Sequence, residues 1–311
     1  WFSHPSFFHM HTTIYFLVKV QKLEAVLRIR ALFHSLKCIF RGNSGTFAAL
    51  YYCMNRNIIA LPEGSYTVGL DKIFVPFDAS VDSMKDRPAS LLVEIQPFCV
   101  RTASGAYVLC DTGLGYTTPE GTLKLHEQLG KHGIHPHDIS KVLLTHLHFD
   151  HTGGAVMQKD DILIPAFPHA VYYVQQGEYE KAVSTPSKSY HRNIIDTLHQ
   201  SGQLELIRGD GKINEEIAFE ISGGHTEYHQ VFTINTDEGI CFFGGDVLPD
   251  MYQLMRRFIA KYDFDGKASA EKRIEYGHRS IAQNSTLLFY HSLRIPFAQV
   301  QYTEVGFRVK E

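Results

Sequence analysis

The chain has 311 residues, 44% of them hydrophobic and 20% charged, a composition that supports one large domain with a sizeable core. A net charge of −3 leaves no basic footprint for nucleic acid, and no run of about 18 apolar residues reads as a membrane-spanning helix. The five cysteines (Cys38, Cys53, Cys99, Cys110, Cys241) are odd in number and lack a repeated spacing, which argues against a disulfide framework and for reduced thiols in a cytoplasmic protein.

Residues 1–53 differ from the rest. His4, His9 and His11 sit among aromatics without a metal-type spacing. Residues 14–41 are apolar and basic, with Lys19, Lys22, Arg28, Arg30, Lys37 and Arg41 against Glu24 alone. That pattern admits an amphipathic helix on a membrane surface or at a subunit contact. The interleaved basic residues argue against a signal peptide. Met54 opens a stretch that would serve as a natural start. The expectation is therefore an atypical segment over 1–53, either flexible or non-native upstream sequence translated in frame, and a domain over 54–311.

From Asp71 onward the pattern is β. Residues 72–77 and 91–100 read as strands, and the second feeds a strand at 106–110 through a turn at Ser104-Gly105. Asp111 follows at a strand end before a Gly-bearing turn, a place from which an acid can orient a ligand loop from behind. Residues 122–132 read as a helix with Thr122 as N-cap and Gly133 as stop. The alternation of strand, helix and strand predicts an α/β layered fold.

Residues 139–144 enter the stretch on which the functional reading turns, Thr145-His146-Leu147-His148-Phe149-Asp150-His151-Thr152-Gly153-Gly154. Neutral imidazoles and a carboxylate are ligands for zinc-like divalent ions. On an extended backbone His146, His148 and Asp150 would project to one side, while His151 must reach elsewhere. One ion cannot easily use all four groups, so the stretch predicts two ions a few ångströms apart.

Further on, strands are expected at 162–164 and 170–174 and a helix at 187–200, with Tyr172, Tyr173, Tyr179 and Tyr190 divided between core and a pocket wall. A strand pair at 204–208 and 217–221 leads to Gly223-Gly224-His225, where the glycines free the backbone to present an imidazole. His229 competes with His225 and takes a supporting or structural role. Strands at 231–235 and 240–243 form a hairpin that ends at Gly244-Gly245-Asp246, and a carboxylate there can bridge two ions through its two oxygens. Residues 250–263 read as a pocket-side loop or helix, 268–282 as an exposed helix, 286–290 as a strand delivering His291, and 297–309 as a closing strand or hairpin. His278, mid-helix among charges, is the weaker competitor of His291.

Together, His146, His148, Asp150, His151, His225, Asp246 and His291 resemble the ligand order of the metallo-β-lactamase superfamily, over a region from about Asp71 to the C-terminus. The resemblance implies an αββα sandwich of two mixed sheets with the metals at one edge. It implies His146, His148 and His225 for a first metal, Asp150, His151 and His291 for a second, and Asp246 as the bridge; the supporting roles of Asp111 and His229 rest on their own positions in the sequence. The spacings of the later ligands and the long β section before the loop look like the branch of N-acyl homoserine lactonases and methyl parathion hydrolase. Lactonases of that branch carry a Tyr three residues after the bridging Asp. Here Pro249 occupies that position, and the nearest Tyr, Tyr252, is the expected substitute. Ser292 after the final His and Tyr228 depart from the pattern as well.

The expected activity is hydrolysis of a lactone, ester or thioester by a hydroxide bridging two divalent ions, zinc before iron or manganese, with Asp150 moving the proton. The competing readings are attack on phosphorus in an organophosphate or phosphodiester, and a non-catalytic metal-binding module. The expected partner is a small-molecule substrate, and a homodimer is compatible with the chain.

Overall fold

The computed structural model of the protein describes residues 56–310, and these belong to a unit that begins at Asn55. The expectations for residues 1–53, and for Cys38 and Cys53, lie outside the described residues. In chain order the first elements are β1 (Ile58–Ala60), a three-stranded antiparallel flap of β2 (Gly64–Val68), β3 (Phe74–Pro76) and β4 (Leu91–Ile95), and then β5 (Phe98–Arg101) and β6 (Tyr107–Cys110). Helix α1 (Lys124–Lys131), strand β7 (Ile139–Leu143) and a single helical turn α2 (Phe149–Thr152) follow. Next come the hairpin β8 (Val156–Lys159) and β9 (Ile162–Pro165), strand β10 (Val171–Gln175), helices α3 (Gln176–Ser184) and α4 (Arg192–Gln200), and β11 (Leu204–Ile207). The second half holds β12 (Gly211–Lys212), β13 (Ile217–Ile221), β14 (Gln230–Thr236), β15 (Gly239–Phe243), α5 (Met251–Met255), α6 (Gly266–Gln283), β16 (Thr286–Leu288), β17 (Phe297–Ala298) and a closing hairpin of β18 (Val300–Thr303) and β19 (Gly306–Val309).

Two six-stranded sheets carry the architecture, ordered β1-β5-β6-β7-β10-β11 and β12-β13-β14-β15-β16-β17. In the first, β6, β7, β10 and β11 run parallel, as helical crossovers require. One face of that sheet packs Leu109, Val142, Tyr172 and Val174 against Leu125, Leu129, Ile195 and Leu198 of the helices. Alternate residues point the other way. Phe98 meets Phe243 of the second sheet, with ring centroids 6.1 Å apart. The second sheet is covered on its far side by Met251, Leu254 and Tyr276 of α5 and α6. Helix, sheet, sheet and helix thus form the expected αββα arrangement.

The ends of β6, β7, β13, β15 and β16 converge at one edge. Within the second sheet β13 and β15 each pair antiparallel to β14, and β16 is parallel to β15, so these three strands run the same way. The carboxyl ends of such strands are where α/β proteins build sites.

Several expectations are corrected. The strand expected over 91–100 is broken at Gln96-Pro97 into β4 and β5, because proline cannot continue a ladder. The paired strands expected at 204–208 and 217–221 lie in different sheets, β11 beside β10 and β13 beside β14. Helix α1 starts at Lys124, and its N-cap is Leu123, without a side-chain cap. The helix at 187–200 begins only at Arg192, and α3 precedes it. Helix α6 is not simply exposed. It buries Ser269, Ala270, Arg273, Tyr276, Gly277 and Ser280. Arg273, 2% exposed, donates from Nε to the Val247 carbonyl at 2.8 Å and from Nη1 to the Phe258 carbonyl at 2.9 Å. A buried cation needs such acceptors, and here they anchor two loops beside the strand ends.

The backbone after β6 presses on the backbone after α2. Thr112 donates from N and Oγ1 to the His151 carbonyl at 2.8 and 2.9 Å, and a Cβ added to Gly153 would overlap the Leu114 carbonyl. Gly153→Ala is therefore expected to cost about 3 kcal/mol of stability by overpacking, read as a lowered Tm. An unchanged melting curve would contradict this packing.

Candidate functional site

The backbone of the ligand stretch is extended only as far as His148. Helix α2 then begins, with the N–H groups of His151 and Thr152 donating to the His148 carbonyl at 3.0 and 3.1 Å. The structure thus differs from the extended register expected for His146, His148 and Asp150. The helical turn swings Asp150 and His151 away from the first two imidazoles and toward His291.

The donor atoms gather into three overlapping groups, each spanning less than 4.8 Å: His146, His148 and His225; His146, His151 and Asp246; Asp150, His151 and His291. In the first, His148 Nδ1 lies 3.0 Å from His146 Nε2 and 3.1 Å from His225 Nε2. Asp246 stands between the groups. Its Oδ2 is 3.1 Å from His225 Nε2, and its Oδ1 is 3.2 Å from His151 Nε2 and 3.1 Å from His291 Nε2. Asp150 Oδ2 lies 3.6 Å from both His151 Nε2 and His291 Nε2.

Groups behind these atoms fix which ring nitrogen is free. Asp111 accepts from Thr145 N and Oγ1 at 2.8 Å each and from His151 Nδ1 at 2.7 Å. Thr145 Oγ1, its proton committed to Asp111, accepts from His146 Nδ1 at 3.0 Å. His225 Nδ1 faces Asp263 Oδ1 at 2.8 Å, and His291 Nδ1 donates to the Glu94 carbonyl at 2.8 Å. The opposite nitrogens of four rings, His146, His151, His225 and His291, are thereby the ones turned inward, the usual preparation of imidazole for a metal. His229 is fully buried, with Nδ1 2.7 Å from Ser222 Oγ, and its Nε2 accepts from the Asp246 N–H at 3.2 Å. It orients the backbone of Asp246. Tyr290 donates to the Asp150 carbonyl at 2.6 Å, accepts from the Gly113 N–H at 3.1 Å and stacks on His151.

The electrostatics of the centre suit a divalent cation. Burial and neighbouring imidazoles push His146 and His148 well below the ordinary histidine range. Burial also acts downward on His151, but Asp246, Asp150 and Asp111 outweigh it and hold its proton well above that range. Burial would raise Asp246, yet His151, His291 and His225 hold it well below the usual carboxylate range. His151 Nε2 and Asp246 Oδ1 are buried without a hydrogen-bond partner among the described residues. Facing lone pairs and orphaned buried polar atoms fit a divalent cation.

A cavity opens onto these groups. His148, Asp150, His225, Asp246 and His291 form its floor, and Tyr262 stands on its wall, with its ring centroid 6.1 Å from that of His225. Tyr252, expected in the catalytic role, is 45% exposed and lines an adjoining groove rather than this cavity. Helix α5 turns it outward while the loop after it returns Tyr262. None of Tyr172, Tyr173, Tyr179 and Tyr190 lines the cavity. Tyr172 is core, and Tyr190 stands beside His148 and donates to Glu178 at 3.2 Å. Asp263, Tyr290 and the Glu94 carbonyl have no motif in the sequence. Tyr290 is signalled only by its place next to His291.

A two-sheet frame with a buried His/Asp cluster at the strand ends is an arrangement that could hold metal ions. The metallo-beta-lactamase superfamily model matches residues 97–277, and the chain belongs to that family. An N-acyl homoserine lactonase from a Bacillus species is 31% identical over 107 residues, 34% of this chain and 37% of that protein. A lactamase-like protein, notP, of an Aspergillus species is 31% identical over 141 residues, 45% of this chain and 35% of that protein. The matched region thus spans about a third of the length of these relatives. Among solved structures, AidC, a dizinc quorum-quenching lactonase, has a TM-score of 0.61 at 19% identity, covering 81% of this chain and 93% of that one. The hydrolase AbOPH of the beta lactamase superfamily has a TM-score of 0.62 at 20% identity, covering 81% and 92%. These likenesses show the fold.

Asp263 holds His225 from behind, so Asp263→Asn is expected to weaken zinc binding 10- to 100-fold in a chelator competition while leaving the fold intact. Unchanged affinity would mean that the contact is idle.

Proposed function

We propose that the protein hydrolyses a lactone, ester or thioester with two divalent ions, the first on His146, His148 and His225, the second on Asp150, His151 and His291, and Asp246 between them. The observation that carries this reading is the placement of the two Asp246 oxygens, each about 3.1 Å from an imidazole of a different group. When bound, the ions would supply a hydroxide at neutral pH and polarise the substrate carbonyl. Five imidazoles and two carboxylates favour zinc among the candidates. Cys99, Cys110 and Cys241 are free and buried, which fits a cytoplasmic setting. No helix among the described residues is long and apolar enough to cross a membrane.

The chain's own residues do the rest. Asp150 Oδ2 accepts the proton released as the nucleophile forms and returns it to the leaving group. Burial and the charges of Asp246 and Asp263 push the Tyr262 phenol up to about 12, so it stays a hydrogen-bond donor at neutral pH. From the cavity wall it can steady an oxygen of the substrate, the role expected of Tyr252. Apolar residues of the flap, among them Val68, Phe74 and Leu91, shelter an acyl group from water.

The purified chain is expected to carry two equivalents of zinc and to hydrolyse lactones or aryl esters in preference to an aryl phosphotriester. His148→Ala should lose one equivalent and at least about 100-fold in kcat/KM. Preference for the phosphotriester would transfer the reading to phosphorus, and less than one metal per chain would favour a non-catalytic role. A second expectation follows from the raised His151 and His291. Without metal, Asp246, Asp150 and Asp111 favour the protonated form of His151, and Asp246 and Asp150 that of His291, so zinc must compete with protons there and its affinity must fall as pH falls. Calorimetry in buffers of different ionisation enthalpy should register proton release on zinc binding near pH 7. No release would contradict the charge balance described above.

A further inference from the structure

The walls of the metal cavity carry charge of one sign. Apart from Asp150 and Asp246 on its floor, the lining has no acidic side chain, and its ammonium groups are Lys72 and Lys188. They come from different parts of the chain. Lys72 sits in the turn between β2 and β3, with its N–H donating to the Gly69 carbonyl at 3.1 Å. Its φ is +62°, a left-handed conformation that a lysine adopts at a cost, so the turn is not one its own sequence prefers. Lys188 lies beside the ligand stretch. The neighbouring Ser189 carbonyl accepts from the Phe149 N–H at 2.8 Å, and Tyr190 bridges to His148. Neither ammonium forms an ion pair with a carboxylate among the described residues. Lys72 is near enough to the floor for its charge to act on His148.

Apart from the lysines the wall is mostly apolar, with Val68, Leu70, Phe74, Leu91 and Phe149. Apolar walls keep the local dielectric low, which strengthens the attraction of an ammonium for an anion entering the cavity. A neutral acyl substrate would use the wall and leave both charges idle. Resting on the hydrolase reading, we propose that the substrate is an apolar ester, thioester or lactone that also bears an anionic group, a carboxylate or a phosphate, held by Lys72 and Lys188 at the mouth of the metal cavity.

The test compares matched esters on the zinc-loaded full chain: 4-nitrophenyl octanoate, its analogue with a terminal carboxylate, and its analogue with a terminal phosphate. One of the anionic esters is expected to exceed the neutral one at least about tenfold in kcat/KM at low salt, and which one it is identifies the anion. Raising the salt about tenfold should shrink that ratio, since the lysines are exposed. In the double variant with Lys72→Gln and Lys188→Gln the ratio should fall below about twofold. Calorimetry with the monoamide of octanedioic acid and with octanamide gives a readout independent of turnover, and the same collapse of preference is expected in the double variant. Turnover without an anionic preference, or with a preference that survives both substitutions, overturns the anion site while the hydrolase reading stands, because the metals would then be its source. Lysine-dependent binding of the monoamide without turnover of any ester would uphold the anion site and sink the hydrolase reading.

Discussion

The site depends on one carboxylate. Asp246 is 8% exposed, yet it lies within 3.2 Å of three imidazole nitrogens carried by three separate segments of the chain. A buried anion in that position is tolerable only where positive charge balances it, and buried imidazoles facing one another are tolerable only where something takes up their lone pairs. Asp246 and the imidazoles thus require each other, and together they require a cation. The surroundings hold this residue tightly. The preceding Gly245 has φ +48°, and a Cβ there would approach His229 Nε2 and Thr145 Cγ2 to 2.7 Å. His229 takes the Asp246 N–H, and Arg273 holds the Val247 carbonyl just beyond it.

From that centre outward the structure divides its work. The strands of the two sheets end at one edge and deliver the donor atoms, while buried partners such as Asp111 and Asp263 set the orientation of the rings. The flap and the loop that follows α5 form the walls. Several large apolar side chains there are exposed, Leu70 at 93% and Phe264 at 65% among them. Rigid strands suit catalytic geometry, and surface turns suit the choice of substrate. The same frame can therefore serve several electrophiles, and under the anionic-substrate proposal the turn bearing Lys72 and the segment bearing Lys188 would narrow the choice.

Much of this was legible in the sequence, for physical reasons that differ by residue. His146, His148, Asp150 and His151 are close in the chain, so their chemistry shows as a short string. His225 and Asp246 follow glycine pairs at strand ends, and such breaks in an apolar pattern are visible without a structure. The layered fold followed from alternating periods. What escaped notice depends on contacts between distant positions. Asp263 meets His225 from a loop without periodicity, and the Glu94 carbonyl that orients His291 is main chain, which no side-chain pattern can encode. The choice between Tyr252 and Tyr262 turned on the direction of one short helix. Helix α3 passed unrecognised because it opens on Gln176, Gly177 and Glu178 and buries little beyond Glu178 and Ala182.

The donor groups also come from both halves of the fold. His146, His148, Asp150 and His151 follow β7 of the first sheet, whereas His225, Asp246 and His291 follow strands of the second. An ion shared between them would be a staple across the seam between the sheets, closing chain loops that run from 77 residues (His148 to His225) to 141 (Asp150 to His291). A metal bound there would thereby enter the folding equilibrium as well as the chemistry. Whatever governs the free concentration of the ion around the protein also governs how firmly its two halves hold together.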